Sequence, residues 1–122
     1  MKILIAEDKY DIKFITGMKL DGIPAVGNYE RIWAKNGVEA VNMSKESEVE
    51  LIIMDCDMPN LDGTSAIKQI REFKNDVKII LYSSHHETTI KDLYGYVPYD
   101  FYCFKDHQTK LFSKLVSKCL EQ

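Results

Sequence analysis

Acidic, hydroxyl and basic side chains follow the apolar runs of this sequence, at positions where they could bind a metal ion and a phosphoryl group. They are Glu7 and Asp8, Asp55 and Asp57, Ser83, and Lys105. Several carboxylates in one cleft repel each other unless they are protonated, pair with a base or bind a cation. Oxygen ligands with room for water are what Mg²⁺ prefers. A lysine and a hydroxyl suit phosphoryl oxygens, and Asp55 could attack phosphorus as a nucleophile. The side chains alone therefore suggest Mg²⁺-dependent phosphoryl transfer to Asp55.

These side chains come together only if the apolar runs form one parallel sheet. Residues 51–54 are all apolar, and Pro59 and Gly63 follow within a few positions. This pattern is typical of a strand buried on both faces of such a sheet. We predict strands at residues 2–6, 29–34, 50–54, 77–82 and 100–104, and Glu30 and Arg31 favour an edge position for the second. The carboxyl ends of parallel strands share one edge, which is where ligands bind.

Helical patterns alternate with these strands. We predict helices at residues 9–20, from residue 38 onward, at 64–73, 87–94 and 107–120. The first is only partly amphipathic, because its apolar residues are interleaved with Lys and Asp. Those apolar residues are Tyr10, Ile12, Phe14, Ile15, Met18 and Leu20. The alternation and the short loops predict an α/β fold, a doubly wound five-stranded parallel sheet with five helices, in one domain over residues 1–122.

Composition narrows the class of protein. The 122 residues are 45% hydrophobic and 29% charged, with a net charge of -3, so nothing favours binding to nucleic acid or to an anionic membrane. No apolar run has the length of a membrane span, and no signal peptide is expected. Cys56, Cys103 and Cys119 lack C-x-x-C spacing, which favours reduced thiols in a cytoplasmic protein over a disulfide framework or a zinc site.

The ordered set of motifs closely resembles the receiver domains of two-component response regulators, over essentially the whole chain. The matching residues are the pair Glu7-Asp8, the run Asp55-x-x-Met58-Pro59-x-x-Asp62-Gly63, Ser83 after the fourth strand, Lys105 after the fifth, and the turn Asn36-Gly37-Val38-Glu39-Ala40. The resemblance implies a flavodoxin-like strand order, 2-1-3-4-5. It also implies a protein that is not an enzyme beyond its own aspartyl phosphorylation and dephosphorylation.

The resemblance assigns a role to each matching residue. Asp55 would be the phosphoacceptor. Asp8 and Asp55 would coordinate Mg²⁺ (or Mn²⁺) directly, Glu7 would act largely through water, and the backbone carbonyl of Asp57 would complete the protein ligands. Lys105 would pair with Asp55 and then with a phosphoryl oxygen.

The resemblance also implies a switch and its partners. Ser83 would move to bond the phosphoryl group, and Tyr102 would rotate inward behind it, which would change the surface formed by helix four, strand five and helix five. The phosphoryl donor would be a histidine kinase or a histidine phosphotransfer protein, and an unknown target or output domain would bind that surface. The expected state is a monomer or a weak phosphorylation-dependent dimer. Direct binding to nucleic acid or membrane is not expected.

Several residues depart from the family pattern. Asp57 adds a carboxylate beside the nucleophile, and we hypothesise that it tightens cation binding and discourages attacking water. His85, two residues past Ser83, could also affect how water reaches the site. Asp106 stands where the family usually has proline, so a trans Lys105–Asp106 bond is expected and Asp106 could cap the last helix.

Other interpretations stay open at the level of sequence. Ser83 could simply cap a turn and Tyr102 could be a core residue, as Cys56 is expected to be. The tyrosines at 94, 96 and 99 could be core or partner surface. For the whole chain the alternatives are a pseudo-receiver that is not regulated by phosphorylation, or a Mg²⁺-dependent phosphatase built on the D-x-D motif of Asp55 and Asp57.

Overall fold

The computed structural model describes residues 1–106 and 109–121 and contains one parallel sheet. Its strands are β1 (Lys2–Ala6), β2 (Glu30–Ala34), β3 (Val49–Asp55), β4 (Lys78–Ser83) and β5 (Phe101–Phe104). They are ordered β2-β1-β3-β4-β5, and every neighbouring pair is parallel. The predicted fold class, strand order and edge position of β2 are confirmed.

Helices connect the strands on both faces of the sheet. They are α1 (Tyr10–Asp21), α2 (Gly37–Glu46), α3 (Gly63–Arg71), α4 (Glu87–Tyr94) and α5 (Lys110–Leu120), with a short 3-10 helix (Pro24–Asn28) before β2. The predicted start of the last helix, His107, lies outside the described residues. Thr109 stands at the N-cap position of the described helix α5, and the expected cap by Asp106 stays a prediction because it depends on residues outside the described ones. No helix among the described residues is long and apolar enough to cross a membrane.

The central strand β3 is buried on both faces, as its unbroken apolar sequence predicts. Leu51 and Ile53 belong to a cluster with residues of α1 and α5, whereas Ile52 and Met54 belong to a second cluster with residues of α2, α3 and α4. Cys56 has no exposed surface, and burial, with the nearby Asp57 charge, raises the pKa of its thiol to about 11. The expectation that Cys56 is a core residue is confirmed.

Helix α1 buries less of its apolar surface than a core helix normally does. Only Thr16 and Leu20 are buried, and they lie four residues apart on one stripe. Its other large apolar side chains are spread around the helix, so packing this stripe on the sheet leaves them in solvent. The exposed ones are Tyr10, Phe14, Ile15 and Met18.

The entry into α2 rests directly on the loop that follows β3. A Cβ atom at Gly37 would lie 2.0 Å from the carbonyl oxygen of Leu61, so only glycine allows this approach. The Asn36 side chain caps the helix by accepting a hydrogen bond of 2.8 Å from the backbone of Glu39. The Asn36-Gly37 turn therefore supports the loop on which the acidic side chains depend.

An acidic pocket at the carboxyl edge of the sheet as the candidate functional site

The ends of three strands bring Glu7, Asp55 and Lys105 into direct contact. The Lys105 Nζ atom lies 2.7 Å from Glu7 Oε1 and 2.8 Å from Asp55 Oδ1. Glu7 and Asp55 are only 4% and 6% exposed. The convergence at one sheet edge that the strand pattern predicts is therefore present.

Asp8 joins this group from the solvent side. Glu7, Asp8 and Asp55 each offer a carboxylate oxygen, and these atoms all lie within 4.8 Å of one another. Asp8 is exposed, so water can reach this side of the cluster. Three hard oxygen ligands with access for water fit the coordination that Mg²⁺ prefers. Side chains at the ends of two neighbouring strands, β1 and β3, would hold a metal ion here.

The electrostatics of the pocket favour a bound cation. Burial raises the pKa of Glu7, and the Asp55 charge acts in the same direction, while contact with Lys105 opposes them. Burial alone would lower the pKa of Lys105, but the Asp55 and Glu7 carboxylates outweigh it and raise that pKa. One ammonium therefore faces more than one carboxylate, and negative charge is left over when all of them are ionised.

The loop after β3 fixes Asp55 through a close backbone approach. A Cβ atom at Gly63 would lie 1.8 Å from the carbonyl oxygen of Asp55, and the Gly63 amide donates a 2.8 Å hydrogen bond to the carbonyl of Cys56. Asn60 reverses the chain in this loop with a φ of 69°, a conformation that asparagine tolerates better than most residues. Gly63 is thus a positioning residue whose role follows from the absence of its side chain.

Asp62 anchors the same loop to α3, a role that sequence reasoning missed. It stands at the N-cap, and its carboxylate accepts hydrogen bonds from the Ser65 amide at 3.0 Å and the Thr64 hydroxyl at 2.6 Å. Burial works against ionisation, but these hydrogen bonds prevail and lower the pKa of Asp62. The signal was an acid directly before Gly63-Thr64-Ser65, which is typical of a helix start.

Ser83 ends β4 and is completely buried. Its hydroxyl accepts a 3.0 Å hydrogen bond from the His85 amide, and its carbonyl accepts one of 2.7 Å from the Lys105 amide. Ser83 therefore caps the turn after β4, as one interpretation of the sequence predicts. Asp55 of β3 lies beside Tyr82 of β4 in the strand register, and Ser83 is the next residue after Tyr82.

Asp57 and His85 form a contact that the sequence did not predict. The His85 Nε2 atom lies 2.7 Å from Asp57 Oδ2, and the two side chains are 38% and 48% exposed. An ionised carboxylate only accepts hydrogen bonds, so His85 donates through Nε2. The extra carboxylate beside Asp55 is therefore engaged by a partner 28 residues away.

The tyrosines of this face divide between packing and exposure. The Tyr102 hydroxyl donates to the backbone carbonyl of His85, and the Tyr99 hydroxyl donates to Glu87. Tyr94, Tyr99 and Tyr102 are partly buried against the core, whereas Tyr96 is 83% exposed. Burial raises the pKa of Tyr102 to about 12. The core interpretation therefore suits three of these residues, and the surface interpretation suits Tyr96.

Lys19 supports the chain after Lys105, where the family usually has proline. Its Nζ atom donates to the Tyr82 hydroxyl at 2.8 Å and to the carbonyl of Asp106 at 3.2 Å. No cis peptide bond occurs among the described residues. Lys105 nevertheless points at Asp55 and Glu7, so its direction is kept without the proline. Sequence patterns gave no indication of the Lys19 contact.

Comparisons with known proteins agree with this geometry. The family model described as the response regulator receiver domain matches residues 3–111. A probable C4-dicarboxylate response regulator, DctR of Halalkalibacterium halodurans, is 35% identical over 83% of this chain and 44% of its own length. Sporulation initiation phosphotransferase F of Bacillus subtilis is 24% identical over 70% of this chain and 66% of its own.

A solved structure shows the same fold over nearly the whole chain. The crystal structure of the response regulator TrrA from Thermotoga maritima, in complex with Mg²⁺-BeF, has a TM-score of 0.83 and 28% identity, and the match covers 98% of this chain and 99% of that one. The chain spans less than half the length of the first curated relatives that it matches. The family match extends over most of the chain, and it includes every acidic and basic residue of the pocket. This chain therefore belongs to the response regulator receiver domain family, the signalling modules of two-component systems.

Proposed function

We propose that Asp55 is the phosphoacceptor of this receiver domain and that phosphorylation requires a divalent cation, Mg²⁺ or Mn²⁺. The observation that carries the proposal is the contact of Lys105 with two buried carboxylates, Glu7 and Asp55, beside the exposed Asp8. Glu7, Asp8, Asp55 and the backbone carbonyl of Asp57 would hold the cation. When bound, the cation would neutralise charge on the phosphoryl oxygens.

The reaction is a transfer between a phosphohistidine and a carboxylate. An oxygen of Asp55 attacks phosphorus and forms a P–O bond, while the P–N bond breaks and the departing imidazole takes a proton from solvent. Lys105 then bonds a phosphoryl oxygen, as does the Ser83 hydroxyl once it is released from the His85 amide. Dephosphorylation is a separate step, in which water attacks phosphorus, the bond between phosphorus and the Asp55 oxygen breaks, and inorganic phosphate leaves while the Asp55 carboxylate is restored.

Receiver domains interact with histidine kinases or phosphotransfer proteins, and we propose that α1 receives this donor. The helix begins two residues after Asp8. Tyr10, Phe14 and Met18 line a groove of about 310 Å³ beside Trp33 of β2. Exposed apolar side chains next to a reactive pocket are typical of a protein-binding surface.

The output surface is proposed at α4, β5 and α5, where Tyr96 and Leu93 are exposed. A monomer or a weak phosphorylation-dependent dimer, a cytoplasmic location and one domain over residues 1–122 remain predictions. The pseudo-receiver alternative is less favoured because the pocket keeps each of its acids, Ser83 and Lys105. The D-x-D phosphatase is less favoured because Asp55 and Asp57 follow the third strand of the chain, whereas that motif belongs on a first strand.

The phosphorylated residue can be identified chemically. After incubation with phosphoramidate and Mg²⁺, borohydride reduction converts an aspartyl phosphate to homoserine, and peptide mass spectrometry locates it. We expect homoserine at position 55 and unmodified Asp8 and Asp57. Homoserine at another position would overturn the assignment, and a folded protein without homoserine at any position would favour the pseudo-receiver.

A further inference from the structure

The Lys105 ammonium lies over an aromatic ring as well as beside two carboxylates. Its Nζ atom is 5.5 Å from the centre of the Tyr82 ring, in addition to its contacts with Glu7 and Asp55. Tyr82 is only 4% exposed and lies beside Asp55 in the strand register. A cation over the face of a tyrosine ring is attracted by the electrons of the ring. The Tyr82 ring therefore forms one wall of the space that holds the ammonium.

Packing alone does not hold the Lys105 side chain in this direction. A cavity of about 290 Å³ lies between α1 and the chain after β5, and Lys105 lines it together with Tyr82 and Lys19. A lysine side chain is long and flexible, and an open side leaves it room to turn away from its partners. The polar contacts around the cavity must therefore decide where the ammonium points.

Lys19, in the last turn of α1, makes polar contacts across this cavity. Its ammonium donates to the Tyr82 hydroxyl at 2.8 Å and to the Asp106 carbonyl at 3.2 Å. The first bond fixes the ring, and the second fixes the backbone immediately after Lys105. The Lys105 amide donates to the Ser83 carbonyl at 2.7 Å, so the backbone is anchored before and after its Cα atom. Lys19 thus connects the ring under Lys105 to the backbone that carries it.

We propose that Lys19 and Tyr82 are positioning residues for Lys105, which hold its ammonium beside the Asp55 carboxylate for phosphoryl transfer. The proposal rests on the proposed function, in which Lys105 exchanges its contact with Asp55 for one with a phosphoryl oxygen. The contact with Asp55 is lost during that exchange, whereas the ring and the backbone anchor stay in place. Among the described residues, the Lys19 ammonium and the Tyr82 hydroxyl bond to neither the nucleophile nor a proposed cation ligand.

Two substitutions remove these hydrogen bonds and keep the packing. Lys19→Met has a similar length without the ammonium, and Tyr82→Phe keeps the ring without the hydroxyl. Lys19→Arg retains donors for both acceptors and should behave as the wild type. Lys45→Met is the matched control, since Lys45 of α2 lies 5.4 Å from the centre of the Phe73 ring, away from Tyr82 and Asp106. Urea unfolding establishes that each variant is folded.

Phosphorylation by phosphoramidate at saturating Mg²⁺ measures the effect on the reaction. Lys19→Met should lower the rate constant by roughly tenfold, because small misplacements of a positioned group slow a reaction strongly. The Mg²⁺ affinity from calorimetric titration should not change, because the proposed cation ligands are untouched. Tyr82→Phe should lower the rate less, since Lys19 keeps its bond to the Asp106 carbonyl. Adding Tyr82→Phe to Lys19→Met should have no further effect, because the hydroxyl acts only through Lys19.

The position of Lys105 can also be followed without any reaction. In protein that carries ¹³C-labelled lysine, without Mg²⁺ or phosphoryl donor, the Tyr82 ring shifts the ε-methylene resonance of Lys105. That resonance is assigned from its absence in Lys105→Arg. Lys19→Met should move it towards the value of an exposed lysine, and Lys19→Arg should restore it. Lys45→Met should leave it unchanged.

The two measurements separate this proposal from the phosphoacceptor assignment. An unchanged Lys105 resonance in Lys19→Met would overturn the positioning role. So would, in a domain that accepts phosphate, an unchanged rate, an equal loss in Lys45→Met, a loss that Lys19→Arg does not restore, or a Mg²⁺ affinity that falls with the rate. A resonance that moves as expected in a domain that never accepts phosphate would support the positioning of Lys105 and defeat the proposed function.

Discussion

The Nζ atom of Lys105 lies 2.8 Å from the Oδ1 atom of Asp55. The two residues are 50 positions apart in the chain, at the ends of β5 and β3. The contact neutralises the proposed nucleophile in the resting protein and places a cation where phosphoryl oxygens would arrive. If Asp55 is the phosphoacceptor, as we propose, the same ammonium would stabilise the pocket before phosphorylation and the charge of the phosphoryl group during it.

Removing this ammonium should destabilise the metal-free domain. Lys105→Ala leaves Glu7 and Asp55 buried without their cation, and breaking a buried pair of this kind costs about 3 kcal/mol. Urea unfolding at neutral pH measures the change, and saturating Mg²⁺ should restore part of it by replacing the lost positive charge. A loss below about 1 kcal/mol, the range of exposed pairs, would contradict the burial argument.

A methyl group at position 63 should disrupt the pocket from its backbone side. Gly63→Ala places Cβ 1.8 Å from the Asp55 carbonyl oxygen, so the loop must move, at a cost of about 3 kcal/mol or more in unfolding free energy. Gly27→Ala is the matched control, because nothing lies within 4 Å of its added Cβ, and its effect should stay below about 1 kcal/mol. Equal effects of the two substitutions would argue against the close approach.

Acid should weaken Mg²⁺ binding, and protonation of Glu7 should contribute to the stability of the metal-free domain. Because the pKa of Glu7 is raised above its usual 4.5, the folded protein takes up a proton here more readily than the unfolded chain. The stabilisation from a protonated Glu7 is therefore complete below pH 4.5 and is lost as the pH rises through the raised value. Mg²⁺ needs the ionised carboxylate, so its affinity should fall in acid by up to about tenfold per pH unit.

Calorimetric titration with Mg²⁺ across this pH range measures the second effect. Glu7→Gln is the control, since it has the same shape without the proton. We expect a shallower pH dependence of Mg²⁺ affinity in that variant. The same slope in both proteins would assign the proton to another group.

The lifetime of the phosphoryl group should depend on Asp57. If its carboxylate tightens cation binding and discourages attacking water, Asp57→Asn should change the rate of hydrolysis of the phosphorylated protein. The His85 contact offers a further way to perturb the same carboxylate, so His85→Ala should also alter the rate. Phosphate release after removal of the donor measures it, and an unchanged rate in Asp57→Asn would remove the hypothesis.

The sheet and the pocket could be predicted because their signals are regular. The unbroken apolar run that ends at Asp55 marks a strand buried on both faces, and parallel strands place their ends together. This logic alone brought Glu7, Asp55 and Lys105 to one edge. The cap of α3 by Asp62 was missed although its signal is local, because Asp62 was considered only as part of the motif that runs from Asp55 to Gly63.

The contacts between loops could not be predicted in this way. Nothing in the sequence pairs Asp57 with His85, or Lys19 with the carbonyl of Asp106, since no period or cap links residues so far apart. The exposure of α1 was also missed, because an apolar residue such as Phe14 gives the same pattern in a core and on a binding surface. These contacts depend on side-chain directions that only the assembled fold determines.

The most direct test of the phosphoacceptor assignment is intact mass after incubation with acetyl phosphate, with and without Mg²⁺, on the wild type and Asp55→Asn. We expect a single phosphoryl adduct on the wild type with Mg²⁺ and none in the other three samples. A fluoroberyllate-binding titration distinguishes a short-lived adduct from an inactive site. An adduct on Asp55→Asn, or a folded wild type that takes neither phosphoryl group nor fluoroberyllate, would contradict the assignment of Asp55 as the phosphoacceptor.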